Sequence, residues 1–312
     1  MTTLYFRIRA ADAAPQAWPM LERMLARADA PVPVTDWRAD AIRSQVLPGP
    51  ALPGPALPPE PFAAGPVALF AASGQVDGVW ACIVTPVHYT AEMSNVRLAG
   101  DGILRLDAER AAALALDFNR VWRDSGIQMR AGKFGDLFCI FDSPLVVATQ
   151  DPERVLGRHI EGFLPQGSDA PRLRQLMSEM EMWVFEHPAM GKPARGARPV
   201  NGLWLWGGGA MRAAALPEGL RCAGADAVFS YFGGDVSRGG IVIAGNGDGG
   251  GDGGDGGDGS GDGELAPAVG RLKSGELERV LISAGDVCYA VSRRALRRFW
   301  RRGRRPWNEY FL

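Results

Sequence analysis

The stretch Asn201-Gly-Leu-Trp-Leu-Trp-Gly-Gly-Gly209 places two tryptophans, spaced two residues apart, directly before three glycines. Successive side chains of a strand point to opposite faces, so Leu203 and Leu205 would face one way and the tryptophans the other. This pattern predicts a strand that is buried on both faces. The glycines predict either a sharp turn beneath a neighbouring element or a row of exposed N–H groups that could bind phosphate or carboxylate.

Strand-like and helix-like segments alternate along the chain, which predicts an α/β fold with a mixed sheet and flanking helices. The opening TLYFRIRA alternates apolar and polar residues and predicts a strand, followed by a helix from around Pro15 to Arg27. Helical spacing of apolar residues predicts a helix over Asp107–Asp124 and a second helix that starts after Ser168 or Asp169 and ends before Pro188. Two apolar runs between positions 66 and 90 predict two strands.

Two segments of biased composition divide the chain. Residues 47–62, LPGPALPGPALPPEPF, predict an extended linker, or alternatively a proline-rich ligand for a partner domain. Residues 245–264 contain five aspartates among glycines without the apolar residues of a calcium-binding repeat, and they predict a flexible insert. We therefore expect a strand–helix segment at 1–46, a main α/β domain at 63–244, and a C-terminal segment at 265–312 whose arginine-rich helix packs on the main domain.

The composition excludes several classes of function. The formal net charge of −1 provides no overall field to attract nucleic acid. The N-terminal residues lack the apolar core of a secretory signal, and no apolar run reaches the roughly 18–20 residues needed to span a bilayer, so we expect a cytoplasmic protein. The four cysteines are widely spaced and form no C-x-x-C pair, which predicts buried, reduced thiols.

The end of the chain, SRRALRRFWRRGRRPWNEYFL, is rich in arginine. One interpretation is a helix that docks through Leu296, Phe299 and Trp300 and leaves its arginines in water. The other is a patch that binds nucleic acid or an anionic membrane. We favour the docked helix because the rest of the chain carries no basic surface that would extend such a patch. The candidate patch residues are Arg293, Arg294, Arg297, Arg298, Arg301 and Arg302.

The chain has no P-loop, serine-hydrolase or zinc-protease motif, and no Asp/His-rich cluster from which a metal site would be predicted. We therefore expect neither a metal nor another cofactor. Among the three histidines, His187 ends a helix before a proline, where an imidazole commonly satisfies free carbonyl groups. His88, in TPVHYT, fits a substrate contact and a structural loop histidine equally well.

The block GFLPQGSDAPRLRQLMSEMEMWVFEHP…RPVNGLWLWGGG resembles the RpfE-type regulatory proteins of bacteria, a family often labelled phosphoglycerate mutase. The resemblance extends to TPVHY, at Thr85–Tyr89, and to RRFWRR, at Arg297–Arg302. The same block is similar to the archaeal-type cofactor-independent phosphoglycerate mutases, with a Leu-Pro-x-Gly segment, a helix ending in His-Pro and a Trp-x-Trp-Gly strand. The resemblance implies part of the alkaline-phosphatase-like mutase fold.

Three departures from the family pattern affect the expected function. The sequence has Ala189-Met190 where the family has Val-Asn, Pro193 in place of an arginine, and Thr85 in place of an aspartate. The N-terminal Asp-Gly-x-x-Asp metal motif of the mutases is also missing. We therefore expect a non-catalytic regulatory or ligand-binding protein.

The expected ligand is a phosphorylated or carboxylate metabolite, bound in a pocket formed by His88, His187, Asn201, Trp204, Trp206, Gly207, Gly208 and Gly209. The first alternative is an active 2,3-bisphosphoglycerate-independent mutase. The second alternative is an interaction module that uses the arginine-rich C-terminus.

Overall fold

A computed structural model of the protein describes residues 3–8, 18–34, 36–46, 62–74, 79–190, 197–210, 220–224, 226–234, 236, 239–244, 261–298, 301, 306 and 310. In chain order the strands and helices are β1 (Thr3–Ile8), α1 (Pro19–Arg27), β2 (Val32–Pro33), α2 (Trp37–Val46), α3 (Ala64–Ser73), β3 (Trp80–Ala91), β4 (Val96–Ile103), α4 (Ala108–Val121), β5 (Ile127–Ala131), β6 (Leu137–Phe141), α5 (Ala170–Phe185), β7 (Gly202–Ala210), β8 (Cys222–Ala223), β9 (Gly240–Ala244), α6 (Gly261–Ser274), β10 (Arg279–Ala284), β11 (Val287–Ser292) and α7 (Arg293–Leu296). The mixed α/β prediction is confirmed. Among the described residues, no helix has both the length and the apolar character to cross a membrane.

The chain forms two compact units. The terminal unit comprises Met1–Phe62 and Leu216–Leu312, and the central unit comprises Ala63–Ala215. This division differs from the expected main domain at 63–244, because β9 pairs with β1 and so belongs to the terminal unit. The segment 265–312 also belongs to the terminal unit. We expected it to pack on a domain at 63–244, most of which is the separate central unit.

The terminal unit is built on a six-stranded sheet with the order β2-β11-β10-β1-β9-β8. Its centre is parallel, because β1 runs in the same direction as both β9 and β10. Leu4, Phe6 and Ile8 of β1 pack into one apolar core with residues of α1 and α6, including Leu21 and Leu272. The predictions of an opening strand and of a helix ending at Arg27 are confirmed.

The central unit is built around β3, a twelve-residue strand. One edge of β3 pairs with β7, and the other pairs first with β6 and then with β4, all antiparallel. Helices α3 and α5 contact β7, and α4 packs beside β5. The prediction that β7 is buried on both faces is confirmed, since its residues from Gly202 to Trp206 are all buried.

The structure corrects one strand prediction. The apolar run that starts near position 66 is α3, whereas the following run is β3 as predicted. A short, continuously apolar segment carries no periodicity that separates a buried helix from a buried strand. Gly74 ends α3 in the left-handed conformation, with φ of 65°.

Two predicted loop or linker segments lie partly outside the described residues. Of the proline-rich linker at 47–62, only Phe62 is described. Of the insert at 245–264, only its last four residues are described, and α6 already begins at Gly261.

The arginine-rich helix is shorter than expected, because α7 covers only Arg293–Leu296.

Candidate functional site

The two tryptophans of β7 are held by hydrogen bonds to other parts of the central unit. The indole N–H of Trp204 donates to the carbonyl oxygen of Gln150 at 2.8 Å. The indole N–H of Trp206 donates to the hydroxyl of Thr85 at 2.8 Å, and both partners are buried. A buried polar group that finds such a partner avoids a desolvation cost of about 1–3 kcal/mol. Both indoles therefore stabilise the interior of the unit.

The three glycines continue β7 and do not form the turn that was one of the expectations. Ala81 pairs with Gly209 and Ile83 with Trp206, so Gly207 and Gly208 together face Cys82 in a β-bulge. Gly207 has φ of 64°, a conformation that glycine adopts without steric cost.

Close packing explains why these positions carry no side chain. A Cβ on Gly208 would lie 2.1 Å from Cζ2 of Trp80, and one on Gly209 would lie 2.4 Å from Cβ of Ala63. The backbone N–H of Gly208 points toward the Thr149 hydroxyl at 3.5 Å. Packing thus accounts for the glycines without a bound anion.

His187 follows the C-terminal end of α5, and both of its ring nitrogens are hydrogen-bonded. Nδ1 accepts the backbone N–H of Ala189 at 3.1 Å, so the proton of the neutral imidazole lies on Nε2. Nε2 then donates to Oδ2 of Asp117 on α4 at 3.1 Å. The side chain is only 7% exposed. His187 therefore joins α5 to α4, with a carboxylate as its partner where we expected backbone carbonyls.

His88 and Asn201 come together at the other end of β7. The side chain of Asn201 accepts the backbone N–H of Tyr89 at 2.6 Å and donates to the Tyr89 carbonyl at 2.9 Å. Nδ1 of His88 donates to the carbonyl oxygen of Pro199 at 2.9 Å. Nε2 of His88 has no hydrogen-bond partner in the part of the chain that the structure describes.

An ion pair lies next to His88 and Asn201. Nε of Arg198 is 2.6 Å from Oδ1 of Asp101, and the two side chains are 41% and 69% exposed. The hydrogen bond from Arg198 lowers the pKa of Asp101 below its ordinary value, and the nearby His88 contributes to the same shift. We call His88, Asp101, Arg198 and Asn201 the His88 edge.

The expected ligand-binding residues do not form one pocket. Asn201 and Gly208 are seven residues apart along an extended strand, which separates them by about 20 Å. His187 makes its contacts with α4, and the two indoles are buried in the packing around β7. Of the expected residues, only His88 combines a partly exposed side chain with a ring nitrogen that lacks a described partner.

The described arginines of the expected C-terminal patch fall into two groups. Nη2 of Arg298 lies 2.8 Å from Oδ1 of Asp29, and its Nη1 donates to the carbonyl oxygens of Arg27 and Ala28, each at 3.1 Å. This arginine stabilises the docking of the C-terminal segment on α1. The exposed arginines are Arg293, Arg294, Arg297 and Arg301, whereas Arg302 lies outside the described residues.

The described residues do not fit a two-metal site. No group of three or more His, Cys, Asp or Glu side chains among them is arranged to hold a metal ion. The pairs that come closest use their atoms otherwise: His187 is bonded to Asp117 and to the Ala189 N–H, and His159 pairs with Glu92 at 3.0 Å beside Arg97.

Sequence analysis missed the partners of the candidate residues. Asp101, Asp117 and Gln150 contact Arg198, His187 and Trp204 across 97, 70 and 54 positions, respectively. No local pattern indicates such distant pairs. Arg198 alone offered a signal, because it lies three positions before Asn201.

Comparisons with known proteins find a partial similarity to phosphoglycerate mutases. No family model matches the chain. A 59-residue stretch is 36% identical to the 2,3-bisphosphoglycerate-independent phosphoglycerate mutase of Methanothrix thermoacetophila, covering 19% of this chain and 15% of that relative. A 76-residue stretch is 36% identical to a probable 2,3-bisphosphoglycerate-independent phosphoglycerate mutase of Geobacter sulfurreducens, covering 24% and 19%. The matched stretches thus span less than a fifth of either relative.

One solved structure aligns with most of the chain, but both its sequence identity and its structural similarity are low. It is a cofactor-independent phosphoglycerate mutase from Thermoplasma acidophilum, with 11% identity and a TM-score of 0.34 over 93% of this chain and 89% of that one.

Proposed function

We propose that this chain is a non-catalytic regulatory or ligand-binding protein of the RpfE type, related to the cofactor-independent phosphoglycerate mutases. One observation carries the proposal. Three side chains of the mutase-like block form internal hydrogen bonds: Trp204 to Gln150, Trp206 to Thr85, and His187 to Asp117. Catalytic groups must reach a substrate, whereas these groups hold strands and helices together. We infer that these three residues of the block serve as scaffold.

Thr85 supports the same conclusion. It occupies the position where the RpfE-type pattern has an aspartate, and it is 8% exposed. Burying an unpaired carboxylate is costly, whereas a neutral hydroxyl that accepts an indole N–H fits a dry interior. In this chain the position stabilises the unit through Trp206 and presents no charge to a ligand or a metal.

The His88 edge is the proposed ligand site. The guanidinium of Arg198 is partly exposed, and its partner Asp101 is more exposed still. Guanidinium groups form paired hydrogen bonds with carboxylate or phosphate, so an incoming anion could replace Asp101 at Arg198. Nε2 of His88 adds a second polar group. The proposed ligand is a metabolite that carries a phosphate or a carboxylate.

A thermal-shift screen of phosphorylated and carboxylate metabolites tests this site. A ligand that binds only the native state at 100 times its Kd adds about 2.7 kcal/mol of stability, which raises the melting temperature by several degrees. We expect Arg198→Gln and His88→Ala to abolish the shift. Arg110→Gln is the matched control, because Arg110 also pairs with an aspartate, Asp107, on the surface of the central unit. If no metabolite shifts the melting temperature, the ligand-binding part of the proposal is wrong.

An active phosphoglycerate mutase is the alternative, and the local identity to two mutases is the observation that favours it. The two proposals differ in a direct way. An active enzyme would interconvert 2- and 3-phosphoglycerate and would lose that activity when a chelator removes its metal ions.

A further inference from the structure

We propose that Arg293, Arg294, Arg297 and Arg301 form a surface that binds the phosphate backbone of nucleic acid without reading its sequence. We call these four residues the arginine surface. They lie within nine positions at the end of the terminal unit, and all four side chains are exposed. None of these side chains makes an ion pair or a hydrogen bond within the part of the chain that the structure describes. This sets them apart from Arg298, which is fully engaged with α1.

The lack of a described ion-pair partner for these four arginines has an energetic consequence. Hydrogen bonds from the N–H of Arg297 to the carbonyl of Arg294, and from the N–H of Arg298 to the carbonyl of Ala295, continue the turn beyond α7. Like charges three or four positions apart on such a helical surface destabilise it by about 0.2–0.5 kcal/mol per pair. A bound polyanion removes this repulsion, and each phosphate that an arginine neutralises also releases a counterion.

The backbone that carries these arginines is fixed to the core of the terminal unit. The hydroxyl of Ser292 caps α7 by accepting the N–H of Ala295, which is fully buried. Nη1 of Arg27 donates to the carbonyl of Leu296 at 3.2 Å, and Leu296 packs against the apolar core. The arginine surface is therefore held in place before any ligand arrives, which reduces the entropy lost on binding.

The neighbouring helix extends the positive charge. Nη1 of Arg293 lies 3.2 Å from the position that a Cβ on Gly275 would occupy, so Arg293 sits beside the C-terminal end of α6. The last turn of α6 contributes the exposed Lys273. Glu276 lies just beyond this turn, and its carboxylate accepts a hydrogen bond from the hydroxyl of Ser274.

A nucleic acid fits this surface better than a membrane does. A segment that binds in the membrane interface needs an apolar face to insert among the lipids. Of the apolar residues of this segment, Ala295 and Leu296 pack into the protein, whereas Phe299 and Trp300 lie outside the described residues. The large hydrophobic side chains that are exposed in the described chain all lie between Phe70 and Phe185, in the central unit. Guanidinium groups, by contrast, match phosphate oxygens with paired hydrogen bonds.

Fluorescence anisotropy of a labelled 20-base-pair duplex, titrated with the full chain at several salt concentrations, tests the proposal. Four neutralised phosphates contribute a slope of about −3.6 to a plot of log K against log[salt], so their share of binding weakens about 12-fold for each doubling of salt. Replacing all four arginines by glutamine should make the slope less negative by about 3.6. Removing the same charge from Arg110, Arg120, Arg123 and Arg172 of the central unit should leave it unchanged.

Several outcomes overturn the proposal. They are absence of duplex binding by the wild-type chain, equal loss in the two quadruple variants, and binding to phosphatidylserine vesicles without binding to the duplex. The melting temperature of each variant shows whether it is folded. If the four-arginine variant fails to fold, Arg297→Gln alone still decides, because it should change the slope by about 0.9.

Discussion

Replacing Thr85 by valine tests whether the position serves the interior of the central unit. Valine has nearly the shape of threonine but no hydroxyl, so the indole N–H of Trp206 would remain buried without the acceptor now at 2.8 Å. An unsatisfied buried donor costs about 1–3 kcal/mol. For a unit of the size of Ala63–Ala215, 1 kcal/mol shifts the melting temperature by roughly 2–4 °C, so we expect a decrease of about 2–12 °C.

Thermal unfolding followed by tryptophan fluorescence measures this decrease. Thr90→Val is the matched control, because Thr90 lies on the same strand but is exposed, and we expect a change within about 0.5 kcal/mol. Trp206→Phe and the double variant complete a cycle that isolates the coupling between the two side chains. Equal melting temperatures for Thr85→Val and Thr90→Val would refute the reasoning, and so would a coupling energy near zero.

Three further predictions concern the glycines, the ion pair and the cysteines. Gly208→Ala should destabilise the central unit by about 1–3 kcal/mol, because its Cβ would meet Trp80 at 2.1 Å. Gly162→Ala should not destabilise it, because a Cβ there would have nothing within 4 Å. Equal chemical-denaturation midpoints for the two variants would contradict this prediction. Arg198→Gln should raise the pKa of Asp101 toward its ordinary value of 3.8 in an NMR titration, and an unchanged pKa would rule out the pairing. The stabilisation by this ion pair is complete above pH 3.8 and is lost as the pH falls through the lowered pKa of Asp101. Because burial raises the pKa of all four thiols, none should react with a thiol reagent in the native state at neutral pH and all four should react in guanidinium; fast labelling of the native protein would disprove their burial.

Local patterns predicted the elements whose signal is periodic. The alternation of Leu203, Trp204, Leu205 and Trp206 identified a doubly buried strand, and the helical spacing after Asp169 identified α5. The apolar run that forms α3 has no such periodicity, so its sequence does not distinguish a helix from a strand. Its close packing against β3 is consistent with a helix. A Cβ on Gly65 would lie 2.6 Å from the Cα of Cys82, an approach that only the folded unit reveals.

The candidate site was harder to predict than the fold, because its residues are paired across long separations in the chain. Of the expected binding residues, Asn201 bonds to the backbone of Tyr89, the residue after His88, whereas His187 and Trp204 make their contacts elsewhere in the central unit. The contact of Arg198 with Asp101 and the β-bulge at Gly207 depend on the register between β7 and β3, and a single sequence contains no information on that register. For the same reason, the pairing of β9 with β1 was not foreseen.

The claim that the mutase-like block is scaffold and not a catalytic site is tested most directly by a turnover measurement. The purified chain is incubated with 3-phosphoglycerate in the presence of manganese, zinc or cobalt, and the formation of 2-phosphoglycerate is followed by phosphorus NMR. We predict no conversion above the protein-free control with any of the metals. Conversion at enzymatic rates that a chelator abolishes would contradict the claim.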